Sequence, residues 1–98
     1  MEMRDKVIVI TGGSGGIGRA LARAFLAEGA SGIMLADLNA GAVDQAAREI
    51  GCSGMACDVT NEEAVQALVD ATVAQYGRVD VFCSNAGATS EGLLTDAA

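Results

Sequence analysis

Lys6-Val7-Ile8-Val9-Ile10-Thr11-Gly12-Gly13-Ser14-Gly15-Gly16-Ile17-Gly18-Arg19 is the stretch on which the fold turns. Its first half is a compact run of β-branched residues with no polar alternation, the pattern of a short strand buried on both faces. Its second half is a glycine-rich turn. Ile17, Leu21, Ala24 and Phe25 then fall at helical spacing, with Arg19 and Arg23 on the other side and Gly29 placed to end the helix. A buried strand that breaks into glycines and then opens a helix presents backbone N–H groups at the helix start, where the helix dipole favours an anion. Gly12, Gly16 and Gly18 fit the three tasks such a turn sets: a tight bend, close approach of a pyrophosphate, and close packing of helix on strand. Ser14 offers a further hydroxyl donor to the phosphates.

The same alternation continues along the chain. Ile33-Met34-Leu35-Ala36 reads as a second buried strand ending at Asp37. Val43, Ala46, Ala47 and Ile50 mark a second helix, stopped by Gly51. Gly54 to Cys57 is a weaker third strand. Thr60 stands three residues before Glu63, a capping-box spacing, and opens a helix carrying Val65, Leu68, Val69, Thr72, Val73 and Tyr76 up to Gly77. Val79 to Ser84 is a fourth strand, leading into Asn85-Ala86-Gly87. Ala88 to Ala98 is small and polar and has no assigned element. Strands alternating with helices predict an α/β fold: a Rossmann-type, doubly wound parallel sheet with the order 3-2-1-4. The expected organisation is one unit, residues 1–98, holding the first four strands. On that reading strand four is left as an open edge, since the chain ends before a fifth strand can form.

Asp37 lies nineteen positions after Gly18. An acidic residue about 20 positions beyond the glycines, at the end of the second strand, is placed to accept hydrogen bonds from the adenosine ribose. The competing reading is an ordinary loop carboxylate, since Asn39 and Gly41 mark a turn. A carboxylate at the ribose repels a 2′-phosphate, and no basic residue lies in the glycine turn or directly after Asp37. Arg19 is the nearest candidate. NAD is therefore favoured over NADP. Ile17 and Leu38 neighbour these groups and complete the candidate cofactor surface.

Composition narrows the alternatives. The net charge of −7 argues against nucleic acid and against an anionic membrane surface. No basic start followed by a long apolar run marks a signal peptide or a membrane span, so the expected location is cytoplasmic. Cys52, Cys57 and Cys83, with no His in the chain, lack the ligand count and pairing of a zinc site. No metal is expected, and the cysteines read as small apolar residues.

Three segments together resemble the short-chain dehydrogenase/reductase family. Thr11 to Gly18 is similar to its TGxxxGxG signature, Cys57-Asp58-Val59 to its Asp-Val element after the third strand, and Ser84-Asn85-Ala86-Gly87 to its NNAG motif, with Ser84 in place of the first Asn. The resemblance implies an NAD-dependent oxidoreductase that exchanges a hydride with an alcohol or ketone, and a longer chain that forms a homo-oligomer. It implies that Asp58 meets the adenine amino group and Val59 the adenine ring. Asn85, Ala86 and Gly87 would line the floor beside the ribose, with Asn85 also bracing the sheet. For Asp58 a helix cap, and for Asn85 a plain turn, are the structural alternatives. The family's acid/base pair is a Tyr followed four residues later by a Lys. The only Lys here is Lys6, and Asp80 stands four residues after Tyr76. Tyr76 reads as helix core, no catalytic residue is assigned, and the 98 residues are expected to be inactive alone, as the N-terminal cofactor-binding portion of a truncated enzyme. Two other readings stay open. One is a stand-alone dinucleotide-binding module. The other is a sugar-nucleotide epimerase relative, against which the glycine spacing speaks.

Overall fold

The computed structural model describes residues 3–85 and 94–96. Its elements run β1 (Val7–Thr11), α1 (Gly16–Ala27), β2 (Gly32–Asp37), α2 (Ala40–Ile50), β3 (Ser53–Ala56), α3 (Glu62–Tyr76), β4 (Val81–Ser84) and β5 (Leu94–Asp96). They form one five-stranded sheet in the order β3-β2-β1-β4-β5. The β1–β2, β1–β4 and β2–β3 pairs are parallel, as the sequence predicts.

All five residues of β1 are buried, and period-two alternation divides their side chains between two cores. Ile8 and Ile10 meet Ile33, Leu35, Ala22, Val43, Ala46 and Ala47 under α1 and α2. Val9 meets Met34, Ala36 and Leu68 under α3. Helices thus cover both faces of the sheet, which is why β1 and β2 carry no polar alternation.

Local differences from the sequence-based expectation have physical causes. The helix α3 is capped by Asn61, whose side chain accepts from the Ala64 amide at 3.0 Å, rather than by Thr60. Thr60 is drawn off by Asp58, whose Oδ1 accepts from its amide at 3.0 Å and its hydroxyl at 2.6 Å. The fourth strand starts at Val81, because Asp80 spends its carboxylate on the Val7 amide (2.8 Å) and on Arg78 Nε (2.8 Å). Strand β5 overturns the expectation that β4 forms an open edge: it pairs antiparallel with β4, Cys83 opposite Thr95. That pairing satisfies backbone groups of β4 that an edge would leave bare.

Tyr76 is more than helix core. Its ring fills the space where a Cβ on Gly32 would stand, and its hydroxyl shares a 2.7 Å hydrogen bond with Ser53 Oγ. Burial pushes the Cys52 thiol up to about 11, and burial, with the Asp58 charge second, also raises that of Cys57. Both resist forming thiolates, in keeping with the reading of these cysteines as small apolar residues. Among the described residues, no helix is long and apolar enough to cross a membrane.

Candidate functional site

The chain leaves β1 in one direction to build β2 and β3, then returns to place β4 on the other side of β1. Where strand order reverses in this way, the helices diverge and leave a crevice outside the carboxyl ends of the strands. The turn after β1, Asp37 at the end of β2, Asp58-Val59 beyond β3 and Asn85 after β4 all lie at that end of the sheet.

Three glycines make the turn after β1. Gly12 has φ 68°, in the left-handed region that favours glycine. A Cβ on Gly18 would overlap the Gly12 carbonyl and approach Gly13 Cα to 2.8 Å, so Gly18 lets α1 pack against the turn. A Cβ on Gly16 would meet nothing within 4 Å among the described residues. No described residue packs against that position at the helix start.

That helix start differs from the other two. Helices α2 and α3 are capped by Asn39 and Asn61, each of which accepts from the amide three residues on. Gly15 at the cap of α1 has no side chain to offer, and the first turn of α1 holds no acidic residue. Its first amides point out with the positive end of the helix dipole behind them. The donor set and the room above Gly16 fit a pyrophosphate.

Asp37 is fastened next to this turn. Its Oδ2 accepts from the Ser14 amide at 3.1 Å and from the Ser14 hydroxyl, and its Oδ1 accepts from the Leu38 amide at 2.8 Å. Partial burial opposes ionisation, but these donors outweigh it, the Ser14 hydroxyl foremost, and hold the carboxyl below its ordinary range. Asp37 is thus an oriented carboxylate, and Ser14 gives its hydroxyl to Asp37 rather than leaving it aimed at a phosphate. Asp58 is fully exposed, and the hydroxyl and then the amide of Thr60 hold its carboxyl below the usual range too.

Asn85 joins β4 to the turn. Its amide donates to Thr11 Oγ1 at 2.8 Å, and its Nδ2 donates to the Gly12 carbonyl at 3.4 Å. Asn85 therefore braces the glycine turn against the sheet. Ala86 and Gly87, named with it from the sequence, lie outside the described residues. Ile17, Leu38 and Val59 are apolar yet 53%, 72% and 37% exposed, and each flanks this end of the sheet. Water-facing apolar side chains next to oriented polar groups are the surroundings a ring-bearing ligand needs.

The sequence did not single out Arg19 and Glu49 as a pair. Arg19 Nη1 lies 3.0 and 3.1 Å from the two Glu49 oxygens, and its Nε donates to the Ser14 carbonyl at 3.0 Å. The partners are thirty residues apart, on α1 and α2, so no local spacing announces them.

Comparison with known proteins identifies the family. Residues 6–98 match the family model described as short chain dehydrogenase. The (-)-isopiperitenol/(-)-carveol dehydrogenase, mitochondrial, of Mentha piperita is 41% identical over 92 residues, covering 91% of this chain and 35% of that protein. Among solved structures, a short chain dehydrogenase/reductase from Burkholderia phymatum in complex with NAD superposes with a TM-score of 0.78 at 34% identity, covering 84% of this chain and 31% of that one. A 3-ketoacyl-(acyl-carrier-protein) reductase from Brucella melitensis complexed with NADH gives 0.73 at 32% identity, covering 82% and 34%. The chain spans about a third of the length of these relatives. On the match over residues 6–98 and these identities, the chain belongs to the short-chain dehydrogenase family.

Proposed function

We propose that residues 1–98 are the NAD-binding portion of an oxidoreductase that moves a hydride between a nicotinamide cofactor and an alcohol or ketone. The observation that carries this reading is the uncapped start of α1 beside the oriented carboxylate of Asp37. The amides following Gly15 hold the pyrophosphate, with Gly12, Gly16 and Gly18 giving it room. Asp37 accepts from the ribose hydroxyls, with Ser14 fixing its orientation. Ile17, Leu38 and Val59 cover the cofactor's rings, Asp58 accepts from the adenine amino group, and Asn85 lines the floor. The cofactor supplies the hydride chemistry. The 98 residues contain no Tyr-x-x-x-Lys, so on their own they bind without turnover.

NAD is preferred to NADP. A phosphate about 4 Å from a carboxylate costs on the order of 4 kcal/mol at an effective dielectric near 20. Part of this is relieved by relaxation and salt, and a preference of about tenfold or more remains. The test is calorimetric titration of the chain with each nucleotide. NAD is expected to bind the tighter, with Asp37→Ala narrowing the gap; equal or tighter NADP binding overturns the assignment.

A further inference from the structure

The basic side chain joined to the Asp37 carboxylate through Ser14, Arg19, is already engaged. Arg19 reaches toward Asp37 through Ser14: its Nε holds the Ser14 carbonyl, and the Ser14 amide and hydroxyl hold Asp37 Oδ2. Its Nη1 donates to both carboxylate oxygens of Glu49. Arginine carries five donors on a flexible stem and is the side chain best suited to a phosphate. Without Glu49, nothing else among the described ion pairs holds this end of Arg19 against α2.

We propose that Glu49 is a specificity-determining residue that keeps Arg19 paired to α2 and so denies the 2′-phosphate of NADP its counter-charge. The inference rests on the dinucleotide reading above, and Glu49 itself touches no cofactor. It adds to the repulsion by Asp37 a second element against the wrong nucleotide, one that works by occupying a cation. Both side chains of the pair are partly exposed, at 24% and 41%, so the effect is modest. Exposed pairs of this kind correspond to about two- to fivefold in an equilibrium constant.

The experiment measures NAD binding by calorimetry, and NADP binding by displacement of NAD, on the 98-residue chain. The variants are Glu49→Gln, Arg19→Gln, the double variant, and Asp44→Asn. Asp44 pairs with Arg48 on the same helix, so Asp44→Asn removes one negative charge from α2 without freeing Arg19. Glu49→Gln is expected to tighten NADP about two- to fivefold with NAD unchanged. Asp44→Asn should leave both nucleotides unchanged, and the double variant should lose the gain. No gain in Glu49→Gln, or a gain that persists without Arg19, overturns the proposal. If the unsubstituted chain binds neither nucleotide, the dinucleotide reading falls and takes this inference with it; NAD binding with an inert Glu49→Gln refutes the inference alone.

Discussion

Two aspartates at opposite ends of the sheet begin from the same chemistry. Asp37 ends β2, Asp80 precedes β4, and each accepts hydrogen bonds from main-chain amides. Backbone donation from Val7 leads the causes that hold the Asp80 carboxyl below its ordinary range, with burial opposing and Arg78 assisting. The difference lies in what surrounds them. Asp80 closes a clasp: its own amide donates to the Val7 carbonyl at 2.9 Å, and Arg78 continues to the Asp5 carbonyl at 2.6 Å. At Asp37 the neighbours are an uncapped helix start and the exposed side chains of Ile17, Leu38 and Val59. An oriented carboxylate is therefore not in itself a site. It becomes one where the groups around it are left for something else to meet.

The sharpest test of the contrast uses glycines at the Asp37 end. Gly18→Ala forces a Cβ into the Gly12 carbonyl and is expected to cost about 1–3 kcal/mol of stability, read by denaturant unfolding. Gly16→Ala should leave stability within about 0.5 kcal/mol, since its Cβ meets no described residue. It should nonetheless weaken NAD by about tenfold, because the methyl group stands where the pyrophosphate approaches. Undiminished NAD binding by Gly16→Ala would place the phosphates elsewhere.

A smaller effect separates the two aspartates. Asp80→Asn should lower the melting temperature and leave NAD affinity intact, while Asp37→Asn should weaken NAD as well as lower the melting temperature. Their pH dependence has a definite sign. Both folded-state carboxyls titrate below the ordinary value of 3.8, so both stabilise the fold above that pH. The contribution is lost as pH falls through each lowered value. Asp80→Asn should accordingly flatten the acid limb of a melting-temperature profile below about pH 4. An acid limb as steep in Asp80→Asn as in the parent chain would deny the clasp its role.

The smallest effect expected is none. Cys57 follows β3 and Cys83 lies on β4, three strand spacings away, about 14 Å. A disulfide needs Cα atoms within about 7 Å. Oxidation of the folded chain should therefore yield no Cys57–Cys83 bridge by non-reducing mass spectrometry, and finding one would contradict the strand order.

Much of this architecture is legible in the sequence because its signals are local. Val7 to Ile10 announces a two-faced strand, the glycines after Thr11 announce the turn, and the distance from Gly18 to Asp37 announces a carboxylate at the end of β2. What escaped depends on which partner each group finds once the chain has folded. Thr60 has the capping-box spacing, but Asp58 holds it and Asn61 caps α3 instead. Leu94-Thr95-Asp96 is too short to show a period, and β4 makes it a strand. The Ser14 hydroxyl is claimed by a residue 23 positions away and Arg19 by one 30 positions away.

The registers of β1 also set an order of assembly. Val7 pairs with Gly32 across 25 residues, whereas Ile8 pairs with Val81 across 73. Closing the longer loop costs about 1 kcal/mol more chain entropy than closing the shorter. At a synthesis rate of about 5–20 residues per second, Asp37 emerges roughly 2–9 s before Val81. The β1-α1-β2 unit, with the glycine turn and Asp37, can thus close while β4 is still unmade. Asn85 emerges later still, and its bonds to Thr11 and Gly12 can then fasten a turn made before it.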